Sequence, residues 1–232
     1  MGVEIKGSRV PDDEFAEMEH FVREYLAASV ESEDDGGRMR WYPWHSAEYR
    51  FNHILNVVDI AERIAAEEGA DTDVVRVAAL FHDVAKLEAE QDVHAEAGAR
   101  VARQYLGTHG DYPDSFVAAV CSSVEDHSYQ GPLSDLSLET GCLIEADLLD
   151  KVGANGTALM VLRMGYEART HMDAAEMVQR VLERGREHAA RVESDTAESI
   201  AHERIKRVKW FREWLEEEVA GMDHERREFD GR

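Results

Sequence analysis

The chain has 232 residues and a formal net charge of −23, from 49 acidic side chains and 26 basic ones. This length is sufficient for one well-filled hydrophobic core. The negative charge disfavours nucleic-acid backbones and anionic membranes, because both would be repelled by the whole surface. We therefore expect neither a long nucleic acid nor a membrane as a partner.

Lysine is scarce, because only five of the basic residues are lysines and the others are arginines. An acidic, lysine-poor surface is typical of proteins from salt-loving organisms, in which screened carboxylates keep the protein hydrated. An ordinary acidic cytosolic protein is the alternative. Cys121 and Cys142 are too few and too far apart for a disulfide framework, and no apolar run reaches the ~18 residues of a membrane span. The sequence therefore predicts a cytoplasmic protein.

Helix signals follow one another along the chain and predict an all-α fold in a single domain, residues 1–232. The first helix is predicted at about 13–31, followed by a polar loop and the aromatic segment 41–44, which either leads into a packed helix or faces a substrate. A second helix at about 47–68 is closed by Gly69. The third follows Asp71 or Thr72 and is apolar on nearly all sides, so we expect it in the centre of the core. Further helices are predicted at about 94–107, 114–127, 138–151, 174–189 and 196–219, with a shorter apolar segment at 159–164.

Several polar residues occupy positions where the helical period places core side chains. They are His53, His82, His94, His127 and Asp147, and Asp83 directly follows His82. A buried carboxylate without a partner reduces the free energy of unfolding by an amount on the order of several kcal/mol. A divalent cation would compensate these burials together, and imidazole nitrogens with carboxylate oxygens suit Zn, Mn or Fe. The pattern therefore indicates a metal site.

Three segments carry a resemblance to a known family. They are RFNHILNVV, which contains His53, VAALFHDVAK, which contains His82 and Asp83, and IEADLLDKVGANG, which contains Asp147. In this order they resemble the HD superfamily of metal-dependent phosphohydrolases, in particular its small stand-alone members. The resemblance covers about residues 47–165 and extends more loosely to the closing helix. It implies an HD-domain helical bundle with additional N- and C-terminal helices, at about 13–31 and 174–219.

The resemblance implies that His53, His82, Asp83 and Asp147 bind a divalent cation, which can be Mn, Mg, Fe, Co, Ni or Zn. Such a cation polarises a phosphoryl oxygen and lowers the pKa of a bound water, and Asp83 is thereby a catalytic residue as well as a ligand. Lys86 lies on the face of Asp83 if the helix continues. By resemblance to HDxxK variants it stabilises developing charge on a phosphate. A surface salt bridge is the alternative role.

Two further histidines raise the question of a second cation. The segment VHAEAGARVA, with His94, and the segment SVEDHS, with His127, resemble histidine elements of HD enzymes with two metals, although Ala95 stands where that element has proline. Asp83 would then bridge two cations. Some relatives with one metal keep histidines here as acid–base groups or substrate contacts, so one and two metals both stay open. The remaining histidines are predicted to be exposed: His20, His45, His109, His171, His188, His202 and His224.

The sequence thus predicts hydrolysis of a phosphomonoester or phosphodiester in a small molecule, with a nucleotide as the expected substrate. Two alternatives belong to other classes. A di-iron HD-type oxygenase would use the same ligands, and a nucleotide-sensing module would bind its ligand without turnover. Oligomer formation is left open, because the aromatic closing helix either covers its own core or covers a partner.

Overall fold

The structure, a computed structural model, describes residues 9–32, 46–89, 93–167 and 174–219. These residues form nine α-helices and a short 3-10 helix at Leu133–Asp135, without a β-strand, which confirms the predicted all-α fold. The helices are α1 (Asp12–Ser32), α2 (Ala47–Glu68), α3 (Thr72–Phe81), α4 (His94–His109), α5 (Asp114–Asp126), α6 (Leu138–Asp150), α7 (Ala154–Glu167), α8 (Ala174–Ala189) and α9 (Asp195–Val219). The aromatic segment 41–44 lies outside the described residues.

The chain divides into two compact units, residues 1–150 and residues 151–232. In the first unit, α3 lies at the centre and contacts each of α1, α2, α4, α5 and α6. Seven of its ten residues are buried, from Val74 to Phe81. A helix that is apolar on all sides needs partners on all sides, as the sequence predicts. The single-domain organisation of residues 1–232 stays a prediction.

The ends of α2 and α3 are set by local side-chain and backbone chemistry. Ser46 precedes α2, and its hydroxyl accepts a hydrogen bond from the backbone N–H of Tyr49 at 3.1 Å. Gly69 ends α2 with a φ of 77°, in the left-handed region that favours glycine. Asp71 then caps α3, since its Oδ1 accepts from the N–H of Val74 at 3.4 Å. These caps fix where α3 starts relative to α2.

The helix α3 ends at Phe81, so His82 and Asp83 lie just beyond it rather than inside it. Residues 82–88 form turns, in which the N–H of Val84 donates to the oxygen of Phe81 and the N–H of Lys86 donates to that of Asp83. Spacing of three residues per turn places residues i and i+3 above one another. Asp83 and Lys86 therefore share one side, although the α-helix does not continue.

The second unit contains α7, α8 and α9, around a core of Val178, Val181, Leu182 and Val208. A cavity of about 600 Å³ lies between α7 and α9, and its walls are apolar except for Thr157 and Arg207. Trp210, Phe211 and Trp214 of α9 are 44–46% exposed. The sequence left oligomer formation open, and the exposure of these side chains fits either alternative. No helix among the described residues has the length and apolarity that crossing a membrane requires.

Candidate metal centre

His53 enters the core from α2, on the face that also buries Val57 and Ile64. Its Nδ1 lies 2.7 Å from Oδ2 of Asp150, at the last position of α6. Its Nε2 points the other way, 3.3 Å from Oδ1 of Asp147. This Nε2 is buried and makes no hydrogen bond within the described part of the chain. The imidazole is thus held at one nitrogen and presents the other.

His82 is fully buried and is held in the same manner. Its Nδ1 lies 2.7 Å from the carbonyl oxygen of Ala79, one turn earlier in α3. Its Nε2 is again buried without a hydrogen-bond partner among the described residues. One ligand atom each from His53, His82 and Asp147 lie within 4.8 Å of one another, which is close enough to hold a single cation. These three residues form the first ligand group.

Asp83, His94 and His127 form a second ligand group, with ligand atoms again within 4.8 Å of one another. His94 is the first residue of α4, and His127 directly follows α5. The Nδ1 of His127 lies 2.6 Å from the carbonyl oxygen of Val124. Its Nε2 lies 3.1 Å from Nε2 of His94. The structure therefore brings together both histidines that the sequence associates with a second cation.

Asp83 stands between the two ligand groups. Its Oδ2 is 3.6 Å from Nε2 of His53 and 3.7 Å from Nε2 of His82. Its Oδ1 is 3.4 Å from Nε2 of His94 and 3.7 Å from Nε2 of His127. One carboxylate oxygen thus faces each group, which is the arrangement that a bridging ligand requires.

Lys86 is a neighbour of the second ligand group. Its Nζ lies 3.0 Å from Nε2 of His94 and 3.8 Å from Oδ1 of Asp83. The side chain is only 11% exposed, so this contact differs from the surface salt bridge that was the alternative. Its catalytic role stays a prediction.

Three residues near the ligands were missing from the sequence-based prediction. Nη1 of Arg50 donates to Oδ2 of Asp83 at 2.5 Å, Asp150 accepts from His53, and the Ser128 hydroxyl lies 3.3 Å from Nε2 of His127. Arg50 precedes His53 by three residues and Asp150 follows Asp147 by three. Because residues three apart share a helix face, this spacing was the available signal.

The buried charges change the acidity of the ligands. Burial alone raises the pKa of Asp83, but the positive charge of Arg50 above all, with that of Lys86, holds it well below its ordinary value. Burial lowers the pKa of His82 to about 3, so its imidazole stays neutral and able to act as a ligand. Burial also opposes protonation of His53, yet the carboxylates of Asp147 and Asp150 raise its pKa above the ordinary value.

A close-packed glycine brings α4 against the backbone that carries His82. A Cβ atom at Gly98 would lie 3.2 Å from the carbonyl oxygen of Phe81 and 3.3 Å from that of His82. Both distances are tighter than nine in ten Cβ contacts in proteins. The missing side chain therefore lets α4, with His94 at its start, approach Asp83.

Divalent cations fit this donor set. Buried imidazole nitrogens without a hydrogen bond, such as Nε2 of His53 and of His82, cost free energy that coordination would recover. Imidazole and carboxylate ligands suit Zn, Mn, Fe, Co and Ni. Outside the site, His20, His109 and His202 are exposed as predicted and His188 is half-buried, whereas His45, His171 and His224 lie outside the described residues.

Comparison with known proteins identifies the family. Residues 50–152 match the family model of the HD domain. A structure of an HD-superfamily hydrolase from Bacillus thuringiensis superposes with a TM-score of 0.65 at 18% identity, over 89% of this chain and 99% of the other. A predicted HD-superfamily hydrolase from an uncultured Thermotogales bacterium gives a TM-score of 0.58 at 26% identity, over 95% and 99%. Residues 50–152 therefore form an HD domain, and the fold of the chain is that of the HD-superfamily hydrolases.

Curated relatives extend the comparison. The uncharacterized protein YpgQ of Bacillus subtilis is 25% identical over 88% of this chain and 95% of its own length. The structure of YpgQ in complex with ADP superposes with a TM-score of 0.61 at 21% identity, over 88% of this chain and all of the other. A symmetrical bis(5'-nucleosyl)-tetraphosphatase from Halalkalibacterium halodurans is 30% identical over 29% of this chain and 36% of its own. A tRNA (cytidine(56)-2'-O)-methyltransferase from Thermoplasma volcanium is 28% identical over 43% of this chain, which spans only 27% of that protein.

Proposed function

We propose that the protein is a metal-dependent phosphohydrolase, which cleaves a phosphomonoester or phosphodiester bond in a small molecule, with a nucleotide as the substrate class. The observation that carries the proposal is the pair of ligand groups, which face opposite oxygens of Asp83. A divalent cation held there would supply Lewis acidity towards a phosphoryl oxygen and make a bound water more acidic. Both ligand groups are proposed to bind one cation each.

The charge of the site supports cation binding. Asp83, Asp147 and Asp150 carry three formal negative charges, against two positive charges on Arg50 and Lys86. The histidines are neutral when they act as ligands. The resulting excess of negative charge, in a mostly buried location, favours a divalent cation because Coulomb attraction is stronger where water is excluded.

Side chains and backbone carbonyl oxygens of the protein hold the residues of the two ligand groups in position. Arg50 fixes Oδ2 of Asp83 through a charge-assisted hydrogen bond, so the carboxylate keeps one oxygen towards each ligand group. The carbonyl oxygens of Ala79 and Val124 hold His82 and His127 with Nε2 inward. Lys86 places an ammonium group beside Asp83 and His94, where it would stabilise negative charge that develops on a phosphate.

The relatives support a nucleotide as substrate. YpgQ, which is similar over most of its length, has a structure in complex with ADP. A further relative, similar over 67 residues, is named for hydrolysis of a dinucleoside tetraphosphate. A phosphate chain carries the negative charge that Lys86 and bound cations would neutralise. We therefore propose nucleoside phosphates ahead of other phosphorylated metabolites.

The test combines metal analysis with a substrate panel. Purified protein is analysed for metals, stripped, and reloaded with Mn, Mg, Co, Ni, Zn or Fe(II). Nucleoside mono-, di- and triphosphates, dinucleoside polyphosphates and sugar phosphates are then followed by mass spectrometry. We expect phosphate or pyrophosphate release that Asp147→Asn abolishes. The exposed Asp59→Asn on α2 serves as the matched control and should retain full turnover, because Asp59 faces away from the ligands.

Two outcomes would replace the proposal. Consumption of O₂ that depends on iron and substrate, without phosphate release, would assign the protein to the oxygenases. Nucleotide binding without turnover under every metal would indicate a sensing module. Absence of a bound transition metal after reloading, in a protein that remains folded, would contradict metal dependence itself.

A further inference from the structure

Asp150 is a buried carboxylate that contacts a ligand without belonging to either ligand group. It ends α6, is 4% exposed, and its Oδ2 lies 2.7 Å from Nδ1 of His53. Asp147 lies one turn earlier on the same helix and belongs to the first ligand group. The helix α6 thus provides one carboxylate beside Nε2 of His53 and a second carboxylate for Nδ1.

The position of Asp150 carries two costs for stability. The C-terminal end of a helix carries a partial negative charge, so a carboxylate there is repelled by the last carbonyl groups. Burial adds the cost of removing the charge from water. A residue that violates two local preferences while touching a functional side chain is expected to serve that side chain. The contact with His53 provides such a role.

The acceptor at Nδ1 distinguishes His53 from the other two anchored imidazoles. His82 and His127 are held by the carbonyl oxygens of Ala79 and Val124, which are neutral. An ionised carboxylate accepts only, so Nδ1 of His53 carries the hydrogen, and the neutral ring keeps its lone pair on Nε2. A charged acceptor also increases the electron density of the ring, which makes Nε2 the stronger ligand.

We propose that Asp150 is a positioning residue, which fixes the Nδ1–H tautomer and the orientation of His53 and thereby sets the affinity of the first ligand group for a divalent cation. The inference rests on the proposed metal-dependent function. It adds a distinction between two of the histidines, because His127 of the second ligand group is held by a neutral carbonyl oxygen instead of a carboxylate. Asp150 acts only through His53 and does not touch the reacting atoms.

The tautomer is measured first, on the full-length, metal-free protein labelled with ¹⁵N in its histidines, at an alkaline pH where the imidazole of His53 is neutral despite its raised pKa. Two-bond ¹H–¹⁵N correlation spectra report which ring nitrogen carries the hydrogen, and His53→Gln assigns the His53 signals by their disappearance. We expect the Nδ1–H tautomer for His53 in the wild type. In Asp150→Asn, the amide can turn its NH₂ group towards Nδ1, so we expect the Nε2–H tautomer to appear.

Metal affinity is measured second, by calorimetric titration of the stripped protein with Mn²⁺ and Zn²⁺. Loss of an outer-sphere partner of this kind weakens metal binding by about 10–100-fold. We expect that loss at the tighter site in Asp150→Asn, and wild-type affinity in the control Asp59→Asn. Asp150→Glu should recover part of the affinity, since it restores the charged acceptor. Circular dichroism verifies that each variant is folded.

The outcomes separate this inference from the proposed function. If the wild type binds no metal, the proposed function is wrong, whereas the tautomer of His53 still tests the positioning role of Asp150. If the wild type binds metal and Asp150→Asn binds it equally well with an unchanged tautomer, the role of Asp150 is wrong and the function stands. If Asp150→Asn does not fold, the wild-type spectrum decides, because an Nε2–H tautomer there overturns the proposal.

Discussion

At the scale of single residues, the site is characterised by the orientation of its imidazole rings, and not only by the presence of histidines. Three imidazoles have Nδ1 held from behind, by Asp150, by Ala79 and by Val124. Each therefore offers Nε2 to the interior of the site. Histidines that are simply buried satisfy both nitrogens or leave one in water. Their common orientation is what distinguishes these three imidazoles from ordinary core histidines.

Lys86 provides the first prediction at this scale. Lys86→Met keeps the apolar stem and removes the ammonium group 3.0 Å from His94. We expect turnover of the best phosphoester substrate to fall about 10²–10³-fold, the usual cost of one such electrostatic contact. Metal content, measured on the same preparation, should not change. Lys209→Met, at an exposed position of α9, is the control. If turnover in Lys86→Met stays within about twofold of the wild type, Lys86 takes no part in the chemistry.

His94 and His127 decide how many cations the site holds. If the second ligand group binds a cation, His94→Ala and His127→Ala should each reduce the stoichiometry from near two to near one, measured by elemental analysis after dialysis. The first ligand group does not include these side chains, so its cation should remain. A wild-type stoichiometry near one that neither variant changes would leave both histidines as acid–base groups or substrate contacts.

At the scale of helices and turns, periodicity and capping could be predicted well from the sequence. The end of α2 at Gly69, the cap of α3 at Asp71 and the central place of α3 all follow from local patterns. The end of α3 at Phe81 could not be predicted, because several of the following residues, such as Ala85, Lys86 and Leu87, favour a helix. Arg50 and Asp150 escaped prediction because a spacing of three residues also fits ordinary surface charges.

Two glycines in similar open surroundings should respond in opposite ways to alanine. Gly69 has a φ of 77°, and a Cβ there meets no atom within 4 Å, so the cost of Gly69→Ala is conformational alone. We expect the free energy of unfolding to fall by about 1–2 kcal/mol. Gly107 lies within α4, also with open space around it, and Gly107→Ala should raise that free energy by about 0.5–1 kcal/mol. Urea denaturation measures both, and changes of equal sign would contradict the assignment of the cap.

Gly98 tests the approach of α4 to the site. Gly98→Ala places a methyl group 3.2 Å from the oxygen of Phe81, so α4 must retreat by a few tenths of an ångström. We expect weaker cation binding at the second ligand group, which includes His94, and unchanged binding at the first. Calorimetric titration with Mn²⁺ resolves the two if their affinities differ. Gly107→Ala on the same helix is the control, and equal loss at both groups would indicate general destabilisation instead.

At the scale of the whole molecule, a formal net charge of −23 is the dominant property. Repulsion among the carboxylates opposes the compact state, and salt reduces it, since the Debye length shortens from about 10 Å at 0.1 M to about 3 Å at 1 M. We expect the melting temperature of the metal-stripped protein to rise by several degrees between 0.1 and 2 M KCl, measured by circular dichroism. A chain of this size gains about 2–4 °C per kcal/mol. A melting temperature that stays constant or falls as the KCl concentration rises would contradict the interpretation of a salt-adapted surface.

The hydrogen bond between His53 and Asp150 joins residues that are 97 positions apart in the chain. Such a contact closes a long loop, whose entropy must be lost before the contact can form. The ligand sets are therefore absent from the unfolded chain, and a cation that binds them selects the folded state by mass action. At a free cation concentration 100 times the dissociation constant, this linkage adds about 2.7 kcal/mol to folding. Chelation would then lower the thermal stability of the first unit as well as its activity, so the metal supply of the cell would also govern how much of the protein is folded.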